Sequence, residues 1–239
     1  MEDDSYFEDE EFSPIRSLLG LLTFSTILPI RVYTSIEYMT KLTWCWPFLH
    51  IFIGLLAAVC GYVSLNFLHL NTFFTAVIVY AFLMIITGYN HLDGVMDMAD
   101  GVMVHGEPER KIMVMKDPSV GAGGVATLFL VASLTIAGLY NILDYNFISG
   151  IIICEMVAKT SLITTALLSK PLTPGIGSYF MLETTPSNYL ISTIFVCIIS
   201  FLLGGVVGVC GALGAMFSGI IIALIPEGIS CLPTVMFWE

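Results

Sequence analysis

Six apolar stretches, at about 45–65, 72–92, 120–140, 146–168, 189–210 and 211–226, leave this chain few folds to choose from. Crossing a bilayer as a helix takes roughly 20 apolar residues. Inside hydrocarbon each backbone N–H and C=O must find its partner within the protein, which favours helices. Composition agrees: the chain is 57% hydrophobic and 11% charged, where a soluble domain carries about 25% charged residues. No series of short alternating strands of the kind that closes a membrane β-barrel is present. The expected fold is all-α, a polytopic membrane bundle of about six spans with an N-terminal interfacial helix. The last two stretches touch, so they form either a tight helical hairpin or one broken element.

The net charge of -11 is a local property. Glu2, Asp3, Asp4, Glu8, Asp9, Glu10 and Glu11 fall in the first eleven residues. Such a tract repels itself and has little to bury, so residues 1–13 are expected to be a disordered acidic tail. Residues 14–239 are then expected to form a single transmembrane domain. No cleavable signal is expected, because the tail is acidic where a signal peptide is basic. Ser13-Pro14 has the form of a helix start, and the run from Ile15 to Ile30, with Arg16 inside it, is too short to span. The cysteines (Cys45, Cys60, Cys154, Cys197, Cys210 and Cys231) show no CxxC or Cys/His spacing and are expected to be buried small hydrophobes.

Orientation follows from the few cations. Arg16, Arg31 and Lys41 precede the first clear span, Arg110, Lys111 and Lys116 follow the second, and Lys170 follows the fourth. Positive residues favour the cytoplasmic side. One topology satisfies them all, with the N-terminus and the 93–119 and 169–188 loops inside. The GxxxG spacings among Gly204, Gly205, Gly208, Gly211 and Gly214 suit close helix packing, and a homo-oligomer is compatible with them. No nucleic-acid partner is expected; the lipid bilayer is.

The stretch TGYNHLDGVMDMADG (87–101) ends the second apolar run with Asp93, Asp97 and Asp100. Their i, i+4, i+7 spacing puts three carboxylates within roughly 60° of one another on a helix. Like charges so placed repel, and no Lys or Arg lies between Lys41 and Arg110. A hard divalent cation would neutralise them. Mg²⁺ takes carboxylate oxygens and commonly brings phosphate oxygens as further ligands. Gly94 and Gly101, each after an aspartate, remove bulk where a substrate could approach. At the C-terminal end of a continuous helix the macrodipole would disfavour this charge, which argues against a merely solvated helix end.

Downstream, MKDPSVGAGG (115–124) sets Lys116 and Asp117 at the entrance of the third span. Gly121, Gly123 and Gly124 open that helix where its N–H groups can meet an anion. Glu155 and Lys159 form an i, i+4 pair inside the fourth span, either a self-neutralising bridge or a phosphate-facing lysine. His91 points away from the aspartates on a regular helix, and His50, His69 and His105 show no ligand spacing. Carboxylates holding Mg²⁺, with cations such as Arg110, Lys116 and Lys159 nearby, suit attack by a hydroxyl on a diphosphate. An aspartate not committed to metal could take the hydroxyl proton.

HLDGVMDMADG (91–101), RKIMVMKDPSVGAGG (110–124) and WPFLHIFIG (46–54) together resemble cobalamin synthase, the adenosylcobinamide-GDP ribazoletransferase family. The similarity runs from about residue 17 to 180. It implies an Mg²⁺-dependent integral membrane enzyme, acting in the cell membrane with its site toward the cytoplasm. Its substrates would be a nucleotide-activated corrinoid and α-ribazole or its 5′-phosphate. GMP would leave and adenosylcobalamin, or its phosphate, would form. The family's acidic motif maps onto Asp93, Asp97 and Asp100 as metal ligands, with Asp93, Asp97 and Asp117 catalytic. Lys116, Lys159, Arg110, Gly94 and Gly121 would bind substrate, and Pro174-Gly175-Ile176-Gly177 corresponds to a family loop. The chain departs from the family's GGxxGD ending, since Gly211 and Gly214 are followed by no aspartate.

Other functions fit parts of the pattern. NHLDGVMD (90–97) matches the NxxDxxxD of aromatic prenyltransferases, whose second acidic motif is missing from residues 150–239. CDP-alcohol phosphotransferases cluster aspartates and glycines with a different gap. A transporter would show polar midplane residues in several spans and repeat symmetry, and only Glu155 and Lys159 are of that kind. A non-catalytic membrane subunit is the remaining alternative.

Overall fold

The computed structural model describes residues 12–170 and 175–228. The acidic tail expected at 1–13 lies outside the described residues except at its last two positions, as does Cys231. Among the described residues ten α-helices follow in order: α1 (Pro14–Ser25), α2 (Ile36–Thr40), α3 (Trp46–Asn66), α4 (Thr72–Ile86), α5 (Leu92–Met103), α6 (Pro108–Met115), α7 (Ala122–Tyr145), α8 (Phe147–Leu168), α9 (Ile176–Glu183) and α10 (Pro186–Gly228). A 3-10 turn, Thr43–Cys45, leads into α3. The described residues contain no strand, as the apolar pattern requires.

Among the described residues four helices, α3, α7, α8 and α10, are long and apolar enough to cross a membrane, and α4 is a shorter apolar helix. Helix α8 is the hub. It packs along α3 on one side and α10 on the other, burying Ile151, Met156 and Ile163 completely or nearly so. One core joins Ile53, Ala57, Val79, Leu83 and Ile151 across α3, α4 and α8. A second joins Ile153, Met156, Val157, Val196 and Ala212 across α8 and α10. Outward faces are apolar too: Phe129 and Leu134 on α7 are 71% and 72% exposed, as expected of lipid-facing positions.

Helix α10 is two limbs, which settles the hairpin expectation. Gly205 has φ 58 and ψ -144, outside the helical region, a conformation side chains resist and glycine permits. Tyr189 before the bend and Gly219 after it both bond α8, at Thr164 and Thr165. The bend falls at Gly205, earlier than the 210/211 junction the sequence suggested. Of the glycines, Gly204 approaches Ile153, Gly208 approaches the Ser200 carbonyl and Ile153, and Gly219 approaches the Ser161 carbonyl and Thr164. Gly211 and Gly214 have no heavy atom within 4 Å of where a Cβ would stand among the described residues, so the close packing expected of them is not made there.

Other expectations are corrected. Helix α1 stops at Ser25, short of Ile30, and Ser13 makes no side-chain cap although Pro14 does open the helix. The second span ends at Ile86, not at 92. Gly88 and Tyr89 both take positive φ, 66 and 59, and the Ile27 N–H donates to the Ile86 carbonyl at 2.8 Å. The chain after α1 thus takes up a carbonyl that helix continuation would have used. Cys154 and Cys210 are exposed on the bundle surface and Cys45, Cys60 and Cys197 are half-buried, because outward helix faces in an apolar bundle accept a small hydrophobe as readily as the core.

Helices α1, α2, α5, α6 and α9 gather at one end of the bundle, with the start of α3 and α7 and the end of α4 and α8. Trp46 stacks on Phe180 at 5.0 Å between centroids, and Phe24 joins both rings. Every basic residue except Lys159 lies in the segments of this end.

Candidate active site

The break after α4 decides where the aspartates stand. Because α5 is a new helix beginning at Leu92, Asp93 sits in its first turn. The macrodipole therefore favours that carboxylate, the reverse of the expectation from a continuous span. Asp93, Asp97 and Asp100 still share one face of α5 through their spacing. Asp93 is exposed, while Asp97 and Asp100 are half-buried.

Asp100 has specific partners. Gly121 N–H donates to its Oδ2 at 2.7 Å, and Gly124 N–H to its Oδ1 at 2.8 Å. The N-terminus of α7, expected to meet an anionic ligand, meets this carboxylate. Gly121 is the N-cap of α7, so the acid caps that helix from a different one. Gly101, expected to leave room for substrate, is covered by Met115 of α6. Gly94 is buried.

Lys116 is the C-cap of α6 and Asp117 follows it outside any helix. Both are exposed, as is Arg110. Ser119 N–H donates to Asp117 Oδ1 at 2.8 Å. That backbone donor, helped by the Ser119 hydroxyl, holds the Asp117 carboxyl below the usual carboxylate range. Asp100, Met103, Asp117, Ser119, Val120 and Gly121 line an open cavity of about 320 Å³ at the junction of α5, α6 and α7. The two halves of the sequence pattern therefore do meet, and they meet here.

The pair in the fourth span behaves otherwise than expected. Glu155 Oε2 and His50 Nδ1 of α3 are 3.1 Å apart, and Lys159 Nζ contacts His91 Nε2 at 2.9 Å. Neither α8 charge bridges to the other; each reaches a histidine on a facing element. Lys159 is 5% exposed and lies 5.2 Å over the Trp46 ring. His91 occupies the N-cap position of α5. The Lys159 charge first, then burial and His50, push the His91 pKa down to about 3, so His91 is neutral and its Nε2 accepts a hydrogen bond from the Lys159 ammonium. Sequence reasoning set both histidines aside. The available signal was Trp46 and His50 one turn apart on an apolar helix, with two intramembrane charges elsewhere needing partners.

Asp93 and Asp97, one turn apart and offering only hard oxygen donors, fit a divalent cation such as Mg²⁺. Among the described residues no three His, Cys, Asp or Glu side chains already converge as a metal cluster. A cation on this face would complete its shell with substrate phosphate and water, as Mg²⁺ commonly does.

Comparison with known proteins covers nearly the whole of this framework. The family model described as cobalamin-5-phosphate synthase matches residues 17–229, which extends the likeness through the α10 hairpin. The adenosylcobinamide-GDP ribazoletransferase of Methanococcoides burtonii is 29% identical over 218 residues, covering 87% of this chain and 79% of that protein. The protein of the same name from Methanosarcina mazei is 30% identical, covering 83% and 77%. That of Archaeoglobus fulgidus is 29% identical, covering 90% and 85%. No solved structure matches.

Proposed function

The chain belongs to the cobalamin-5-phosphate synthase family, and on that premise we propose that it joins adenosylcobinamide-GDP to α-ribazole or its 5′-phosphate. The acceptor hydroxyl oxygen attacks the corrinoid-side phosphorus of the diphosphate. The bond from that phosphorus to the bridging oxygen breaks, GMP leaves with the electron pair, and adenosylcobalamin or its phosphate is the product. The hydroxyl proton passes to a carboxylate; Asp117, kept anionic by Ser119 at the cavity rim, is ready to receive it.

Asp93 and Asp97 would hold Mg²⁺, which when bound neutralises charge on the diphosphate oxygens. Lys116, adjacent in sequence to the cavity-lining Asp117, and Arg110 on α6 are exposed cations that attract the diphosphate. Lys159 contributes from within the bundle by fixing His91 at the start of α5. One observation carries the reading: Asp100, on the face of α5 that also bears Asp93 and Asp97, and Asp117 of the Lys116–Asp117 turn line one cavity at the junction of α5, α6 and α7. The gathering of Arg16, Arg31, Lys41, Arg110, Lys111, Lys116 and Lys170 at that end supports a cytoplasmic orientation in the cell membrane.

The test is product formation by purified protein in lipid vesicles, given adenosylcobinamide-GDP, α-ribazole or its phosphate, and Mg²⁺. GMP released in step with a new corrinoid, and abolished by chelation, is the expected result. Folded protein that makes neither overturns the proposal.

A further inference from the structure

We propose that Asp100 is a positioning residue outside the metal shell: its carboxylate latches α5 onto the N-terminus of α7 and so sets where Asp93 and Asp97 stand. The inference rests on the transferase reading for the reaction it affects, while the latch itself rests on geometry. Both carboxylate oxygens are engaged, Oδ2 by Gly121 N–H at 2.7 Å and Oδ1 by Gly124 N–H at 2.8 Å. These are charge-assisted bonds from donors that have no partner within their own helix.

The glycines around it are shaped to this carboxylate. A Cβ at Gly121 would collide with Asp100, one at Gly123 would lie 3.0 Å from its Oδ1, and one at Gly124 would lie 2.7 Å from its Oδ2. The Gly124 Cβ would also come within 2.9 Å of the Met96 carbonyl in α5. Side chains here would therefore part the two helices. This stretch reads as a seat for a protein carboxylate, with little left for an incoming phosphate.

The latch also completes a pattern along α5. At the N-terminal end of that helix, His91 is held by Lys159 of α8. Near its C-terminal end, Asp100 is held by α7. Asp93 and Asp97 lie between the two attachments. A helix of 12 residues is marginal alone in water, so its register is set by what pins it. Pinning both ends on spans gives the intervening carboxylates a fixed place relative to the Lys116–Asp117 turn.

The test compares Asp100→Asn, Gly124→Ala and Asp93→Asn in lipid nanodiscs, using three readouts. The first is hydrogen exchange at the Gly121 and Gly124 amides, the second is binding of Mn²⁺ alone by electron paramagnetic resonance, and the third is kcat. Asp100→Asn should speed exchange of these amides by about tenfold, as loss of a cap releases a helix end. Its Mn²⁺ affinity should stay within about threefold of wild type, while kcat falls by about tenfold or more, since small misplacement of reacting groups is costly. Gly124→Ala keeps every carboxylate and should give the same pattern, whereas Asp93→Asn should weaken Mn²⁺ binding and leave exchange alone. Weakened Mn²⁺ binding in Asp100→Asn equal to that in Asp93→Asn overturns the proposal, as does unchanged exchange or unchanged kcat. Exchange and Mn²⁺ binding need no turnover, so wild-type protein that passes both yet forms no product overturns the transferase reading separately.

Discussion

Glycine does two different jobs at the start of α7 and along the α10 hairpin. At α7, Gly121, Gly123 and Gly124 give up their Cβ atoms to a carboxylate. At α10, Gly204, Gly208 and Gly219 give them up to an Ile153 methyl and the carbonyls of Ser200 and Ser161. The second use is ordinary for membrane helices, where small residues let backbones approach and dispersion supplies the attraction. The first sets the position of a charge. Filling the space has a different consequence in each: one side should lose geometry at the site, the other should lose stability of the bundle. Nothing in the glycine spacing alone separates the two cases; what occupies the vacated volume does.

The largest effect expected on the site side is that of Asp93→Asn. The substitution keeps the shape and removes the charge that a cation on α5 needs. Turnover should fall by about a thousandfold, within the range general acid–base and metal contributions span, while membrane insertion and melting temperature are kept. Product assays alongside a thermal melt in detergent check this. Near-normal turnover would show that the aspartate face of α5 is not the chemical centre, and the contrast between the two glycine clusters would lose its meaning.

On the packing side, Gly219→Val should lower stability by about 1–3 kcal/mol, the usual cost of overfilling a packed interface. The new side chain would press on the Ser161 carbonyl and Thr164 and disturb the bond from the Thr165 hydroxyl to the Gly219 carbonyl at 3.1 Å. Specific activity of the protein that stays folded should be close to wild type. A melt that is unchanged, or activity lost in fully folded protein, would erase the distinction drawn here. As a control inside the same hairpin, Gly214→Ala fills open space and should shift the melting temperature little.

The two polar contacts on α8 sharpen the comparison from a third direction, because they bind elements together without glycine. Glu155→Gln replaces the carboxylate facing His50, which is completely buried. The Gln oxygen still accepts from His50, so what is lost is the charge, and the difference between a charged and a neutral hydrogen bond is about 1 kcal/mol. The discount for the partial exposure of Glu155, 17%, places the expected loss below that. Differential scanning calorimetry would read it as a small drop in melting temperature. A stabilised protein would instead mean that burying this pair costs more than its attraction returns.

Much of this was legible beforehand. Apolar length alone shows α3, α7 and α8, because hydrocarbon thickness imposes the period on any sequence that spans. The aspartate spacing and the MKDPSVGAGG stretch mark the candidate site, since like charges in an apolar chain need a counterpart. What escaped was set by distant partners. The α4 helix ends at Ile86 because Ile27, some sixty residues earlier, bonds its last carbonyl, and that break moves Asp93 to a helix start. Likewise Asp100 looks identical to Asp93 and Asp97 in sequence, and the approach of α7 to it cannot be read there. Glu155 and Lys159 suggest a bridge at i, i+4, but His50 and His91 come nearer from other elements.

The smallest effect, that of Ser119→Ala on the pH profile, tests whether Asp117 belongs with the site. Ser119 N–H, then the Ser119 hydroxyl, lower its pKa below the ordinary carboxylate value, so the folded protein favours the anion. The sign follows. This interaction is present above the unfolded carboxylate pKa and is lost as pH falls through the lowered folded value. Its charged neighbours are Lys116, adjacent in sequence, and Asp100, across the shared cavity. If the Asp117 anion takes the acceptor proton, the acid limb of the turnover profile reports its titration. Ser119→Ala removes only the lesser of the two donors, so that limb should move slightly to higher pH with the plateau intact. Asp117→Asn should abolish the limb together with most turnover. An acid limb that ignores both substitutions would assign proton transfer to another carboxylate. Asp100 lines the same cavity, and the turn before α7 would then serve only to aim that helix at it.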